Sequence, residues 1–186
     1  MTPRTHHCNA IRTDHVDQTV TLAGWVNNYR DHGGVRFIDL RDREGITQIV
    51  FHPEAKDAHA VAQKLRHEDV VSVTGKVVVR EGGENKKIDT GKVEVDAVTL
   101  EVLADAETPP FTPDDADKVG EETRLRYRYI DMRRKRMLDI LKTRHRVAKA
   151  MRDYYDEQGF YEIETPFLCR STPEGARDFL VPSRQQ

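Results

Sequence analysis

Residues 18–51 read QTVTLAGWVNNYRDHGGVRFIDLRDREGITQIVF. In Gln18–Asn27, Val20, Leu22, Gly24 and Val26 alternate with Thr21, Ala23 and Trp25. That period of two puts one face of a strand into a core. Asp31-His32-Gly33-Gly34 is a turn signal, because adjacent glycines accept positive φ. Val35–Leu40 reads as a second strand, Asp42–Gly45 as a second turn, and Ile46–Phe51 as a third strand stopped by His52-Pro53.

Downstream the period changes. Ala58, Val61, Ala62 and Leu65 fall at helical spacing. Val70–Arg80 and Val93–Leu103 return to strand, separated by the polar, glycine-bearing loop Glu81–Gly91. Three strands, a helix and two strands is the order of an OB-fold: a β barrel of five strands with one helix, which commonly binds oligonucleotides through strands two and three and nearby loops. Other small barrels share the order, and fold alone does not give function.

Ala104–Glu122 holds Pro109, Pro110, Pro113 and several acids, which predicts a linker or hinge. Beyond it Met137, Ile140, Leu141, Val147, Ala148, Met151, Tyr154 and Tyr155 trace one helical face, and Gly159 supplies a stop. Phe160–Thr165 reads as a short strand ended by Pro166. A helix and strand without a sheet cannot bury their apolar faces, so the second domain is expected to be incomplete within these residues. The reading is therefore 1–104 barrel, 105–123 linker, and 124–186 the start of an α+β domain.

The 30 basic and 32 acidic residues nearly cancel, yet they are segregated. Residues 104–122 are acidic, whereas 124–152 are strongly basic with only Asp131 and Asp139 opposing. A balanced sum does not exclude a nucleic-acid partner. No apolar run is long enough to cross a bilayer, and residues 1–9 show no secretory signal. Two isolated thiols, Cys8 and Cys169, fit a reducing cytoplasm. His6, His7 and Cys8 lack further ligands at metal-binding spacing. No Gly-x4-Gly-Lys-Ser/Thr phosphate loop occurs.

Several segments resemble one family. Gly24-Trp25-Val26, Arg30-Asp31, Phe37–Gly45 and Gln48 are similar to the anticodon domain of bacterial aspartyl-tRNA synthetases. Leu125–Arg134 resembles the approach to their catalytic domain, Phe160–Leu168 their class II motif 1, and Thr172–Arg184 the loop that closes over aspartate. The resemblance implies an OB-fold anticodon barrel followed by the start of a class II catalytic domain. Motifs 2 and 3, with the arginines that hold ATP, are absent, so no catalytic residue is expected in this chain.

The resemblance also implies site residues. Phe37 would stack on the central anticodon uridine and Gln48 would pair with its edge. By pattern alone Phe37 could equally sit in the core. Arg30 and Asp31 would contact the anticodon loop; Asn28 and Tyr29 replace two arginines that are often found there. His32, with Gly83 in the loop after strand four, resembles the enzymes that charge both tRNA(Asp) and tRNA(Asn); otherwise His32 is an exposed turn residue. Glu174 would bind the α-amino group of L-aspartate; in isolation it would read as a surface carboxylate. Pro166 would lie near a dimer partner's active site, in a homodimer. The implied enzyme is a cytoplasmic aspartate--tRNA ligase using ATP and Mg²⁺, with no metal site in this chain. The other reading is a non-catalytic RNA-binding piece that uses the barrel alone.

Overall fold

In the computed structural model, residues 3–170 are described together with Phe179, Val181 and Pro182. The chain divides into two compact units, Met1–Asp139 and Ile140–Gln186.

The first unit is a closed five-stranded barrel. Its strands are β1 (Thr19–His32), β2 (Val35–Arg41), β3 (Ile46–Phe51), β4 (Val70–Val79) and β5 (Val93–Ala104). Around the barrel they run β1-β2-β3-β5-β4. A single helical excursion, α1 (Lys56–Ala62), joins β3 to β4. β1 is longer than its alternation predicts. Thr19–Trp25 pair with β4 and Trp25–His32 pair with β2, with an irregularity at Asn27. The strand thus changes partner at Trp25 and passes through the whole arginine-bearing stretch. Gly24 and Gly75 lie where strands approach too closely for a side chain: a Cβ would sit 2.3 Å from the Arg41 carbonyl oxygen and 2.2 Å from that of Asp96.

The inward positions fill the barrel. Val20, Leu22, Val26, Ile38, Leu40, Ile49, Phe51, Val71, Val73, Val77, Val93 and Val95 are buried together. Ala58, Ala62 and Leu65 on and after α1, and Cys8 and Ile11 from the N-terminal turns, complete this core.

The N-terminal turns are fastened by Asp42. Its carboxylate accepts hydrogen bonds from His7 Nδ1 (2.8 Å), Cys8 N (3.0 Å) and Glu44 N (2.8 Å). Burial alone would push this carboxyl up; the donors from Cys8, Glu44 and His7 outweigh it and hold it below the ordinary carboxylate range. A depressed folded value stabilises the protein above the ordinary range, and that stabilisation is lost as pH falls through the folded value. Asp42→Asn is therefore expected to cost about 1–3 kcal/mol at neutral pH. In urea denaturation, the gap to the parent should narrow as the medium is acidified.

Residues 105–123, read as a linker, are pinned to the barrel. Ala106 N donates to Asp69 Oδ1 (2.8 Å), and Asn27 Nδ2 donates to Asp114 Oδ2 (3.0 Å). A 3-10 turn, Pro113–Lys118, is followed by α2 (Glu121–Arg126) and α3 (Arg128–Asp131). Phe111, Ala116 and Ile130 form a small core of their own. β5 ends at Ala104, before the first proline, and the chain folds again on apolar anchors.

Beside this segment lies a buried charge cluster. Glu68 accepts from Arg41 Nη2 at 2.7 and 2.9 Å and from Arg133 Nη1 at 3.1 Å. Arg41 also donates to Asn27 Oδ1. The Arg133 guanidinium carbon lies 4.5 Å from the centre of the Trp25 ring, cation over π face.

α4 (Lys135–Glu157) begins in the first unit and forms the body of the second. Gly159, at φ 81, ends it. Gly159 N donates to Asp156 O and Phe160 N to Tyr155 O, the paired bonds of a left-handed helix stop. Phe160–Thr165 does not form the expected strand; these residues make no ladder, because no described strand lies beside them. Ile140, Val147, Met151, Tyr154 and Tyr155 are exposed along α4.

Candidate nucleic-acid interface

Alternation along β2 decides the first contact. Ile38 and Leu40 point into the barrel, so Phe37 and Asp39 point out, half-buried. Across the ladders Phe37 faces Arg30 on one side and Val50 on the other. The tight β1–β2 turn brings His32 over it, ring centres 5.9 Å apart and tilted by 59°. Gly33 and Gly34 both take positive φ, as a two-residue hairpin turn of this hand requires.

These residues open onto a cleft of about 370 Å³. It is lined by Arg30, His32, Val35, Phe37, Gln48, Val50 and His52 from β1, β2, β3 and the residue after it, and by Arg80, Glu81, Gly82 and Glu94 from the β4–β5 hairpin. A hydrogen-bonded line runs along its floor. Asp39 accepts from Arg30 at 3.1 and 2.7 Å, Arg30 Nη2 donates to Gln48 Oε1 (3.1 Å), and Gln48 Nε2 donates to Glu94 Oε2 (2.7 Å). A guanidinium only donates and a carboxylate only accepts, so the amide's orientation is fixed. Gln48 and Glu94 are buried, and the amide keeps one N–H and one lone pair for a further partner. On the same lining, Arg80 Nη1 is buried with no hydrogen-bond partner among the described residues. An outward-facing, half-buried aromatic ring beside fixed donors and acceptors is the chemistry that grips an unpaired base.

Arg30, His32, Phe37 and Gln48 are thus brought together. Asp31 is not on the cleft wall: its carboxylate braces the turn, accepting from Gly34 N (3.1 Å) and lying 3.3 Å from Arg36 Nε. Gly83 follows the lining residue Gly82, with φ 78 and open space where a Cβ would point. Pro166 lies in the exposed stretch after α4. Glu174 falls outside the described residues. Sequence reading missed Arg80 and Glu94. Their signal was indirect: if Val93 and Val95 face inward, Glu94 faces outward, and barrel closure sets β5 beside β3.

Among the described residues, no group of three or more His, Cys, Asp or Glu side chains could hold a metal ion, and no helix is long and apolar enough to cross a membrane.

Residues 20–106 match the family described as an OB-fold nucleic acid binding domain for anticodons, and residues 120–186 match class II tRNA synthetases of the D, K and N type. The chain is 52% identical over 182 residues to an aspartate--tRNA(Asp/Asn) ligase of Legionella pneumophila, with 97% of this chain and 31% of that protein covered. It is 54% identical over 183 residues to the same-named protein of Halothermothrix orenii, again 97% and 31%. Among solved structures it resembles an asparaginyl-tRNA synthetase from Pyrococcus horikoshii complexed with asparaginyl-adenylate. That likeness has a TM-score of 0.75 at 26% identity, covering 89% of this chain and 37% of that one. The chain spans about a third of the length of the curated relatives it matches. With the barrel's outer face built as described, the chain joins an anticodon-type OB-fold nucleic acid binding domain to a portion of a class II tRNA synthetase domain of the D, K and N type.

Proposed function

We propose that this chain is the anticodon-reading part, with some of the active site, of a cytoplasmic aspartate--tRNA ligase acting on tRNA(Asp) and tRNA(Asn). The supporting observation is the Phe37–Gln48 cleft: an outward ring and an oriented amide on adjacent strands. Phe37 stacks on the central uridine, Gln48 pairs with its edge, Arg30 orients that amide, and Asp31 holds the loop-facing turn. The divisions at 104 and 123 correspond to anticodon barrel, hinge and catalytic portion, the hinge being folded rather than loose.

In the complete enzyme ATP activates L-aspartate as the adenylate, Mg²⁺ offsetting phosphate charge, before the tRNA terminus accepts the aspartyl group. This chain's own contribution to that chemistry is Glu174, whose carboxylate suits the substrate ammonium through a charge-assisted hydrogen bond. The exposed apolar stripe of α4 and the neighbourhood of Pro166 are the surface of a homodimer.

Binding to anticodon stem-loops of tRNA(Asp) and tRNA(Asn), at one fixed salt concentration, tests the reading. Both loops should bind, and exchange of the middle uridine for a purine should weaken both. Equal affinity for a scrambled loop would remove the assignment.

His32 and Gly83 set the tolerance at the last anticodon base, the one position where the two anticodons differ. A wrong base contact costs roughly 1–3 kcal/mol, so the complete enzyme carrying His32→Leu should change its ratio of tRNA(Asn) to tRNA(Asp) charging by about fivefold or more. An unchanged ratio would take His32 out of the discrimination.

A further inference from the structure

The turn that carries His32 is held by side chains that never face the cleft. The Gly34 peptide is gripped at both ends. Its N–H donates to Asp31 Oδ1 (3.1 Å), and its carbonyl oxygen lies 2.6 Å from His59 Nε2. His59 Nδ1 in turn lies 2.8 Å from Arg36 Nη1, which also donates to the His59 carbonyl oxygen at 2.7 Å. Arg36 Nε lies 3.3 Å from Asp31 Oδ2, closing the circuit. The carbonyl can only accept and the guanidinium can only donate, so the imidazole is neutral with its proton on Nε2.

This circuit ties two glycines, the least restrained residues of the chain, to a rigid support. His59 sits on α1 next to Ala58, which is sealed into the barrel core with Ala62. Arg36 is itself buried on β2, beside Phe37. The turn, whose shape its own Asp31 and glycines set, is therefore also anchored to the core, and His32 takes its position from the turn.

We propose that His59 and Arg36 are positioning residues that determine which final anticodon base the cleft accepts, by fixing where His32 stands. This rests on the reading of the cleft as the anticodon site. Neither side chain touches the base. Each acts through the Gly34 peptide.

The test is the affinity of this chain for two anticodon stem-loops that differ only in the last anticodon base, cytosine or uracil. His59→Ala is expected to move the ratio of the two dissociation constants by at least about threefold, roughly half a log unit. His59→Gln, which keeps one donor and one acceptor, should restore most of the parent ratio. Arg36→Lys keeps the charge but loses the planar fork; it should shift the ratio in the same direction, and it carries the test if His59→Ala does not stay folded. A shift smaller than threefold in both His59→Ala and Arg36→Lys, or equal weakening of both loops with no change in ratio, overturns the proposal. Phe37→Ala separates the two claims. If it weakens both loops while the His59 and Arg36 variants leave the ratio alone, only the positioning role falls. If Phe37→Ala has no effect, the anticodon reading falls and takes this inference with it.

Discussion

Phe37→Ala is expected to weaken binding of an anticodon stem-loop by about ten- to a hundredfold, since stacking of one base on an aromatic ring contributes roughly 1–3 kcal/mol. The ring is available for this because it projects from the barrel, between the buried Ile38 and Arg36 on its own strand and opposite Val50 on the next. The same placement predicts little change in folding. Thermal melting should shift by only a few degrees, whereas Ile38→Ala, one residue away and fully buried, should cost about 2–5 kcal/mol. Fluorescence anisotropy with a labelled stem-loop, alongside melting curves for both variants, separates the two faces of the strand. Parent-like affinity in Phe37→Ala would end the stacking assignment.

The second large effect concerns stability. Glu68→Ala is expected to cost about 3–5 kcal/mol, the usual result of stripping one partner from a buried ion pair. Its carboxylate serves two guanidinium groups, and the side chains of Glu68 and Arg41 are 7% and 8% exposed. Without it Arg41 keeps Asn27 as a hydrogen-bond partner but has no counter-charge in a site that water hardly reaches. Arg133 loses its hold on the barrel except for its position over Trp25. Urea denaturation should show a midpoint well below the parent. The double variant Arg41→Met/Glu68→Leu should lose less than Glu68→Ala alone, because the only guanidinium it strands is that of the more exposed Arg133. If the midpoint of Glu68→Ala matches the parent, the cluster contributes nothing.

Much of the barrel was legible because its strands obey a simple alternation. Val20, Leu22 and Val26 face inward as their spacing requires, and so do Ile38 and Leu40, which leaves Phe37 on the outer face, a placement that the pattern alone left open. What alternation could not show was the length of β1. Asn28–His32 are polar and carry no apolar rhythm, yet the β2 ladder holds them in strand as far as the Gly33-Gly34 turn. Gln48 was legible as a residue type, but its burial was not, since that depends on Arg30 and on Glu94, 46 residues away in sequence. Arg80 and Glu94 reach the cleft only through barrel closure, a long-range event with no local signature. The folded state of residues 105–123 was hidden for the opposite reason: three prolines speak strongly of interruption, while the anchors Phe111, Ala116 and Ile130 are sparse and far apart.

The barrel closes through a short seam. β3 and β5 run parallel and share only the pairs Ile49–Val95 and Val50–Asp96, against ten pairs between β4 and β5. Gln48 and Glu94 sit one residue before that seam and bridge it with their side chains. A nucleobase lodged against both would act as a clasp on the narrowest join of the ring, so RNA would raise the protein's melting temperature through linkage. Amides of 48–50 and 94–96 would then be the ones most slowed in hydrogen exchange.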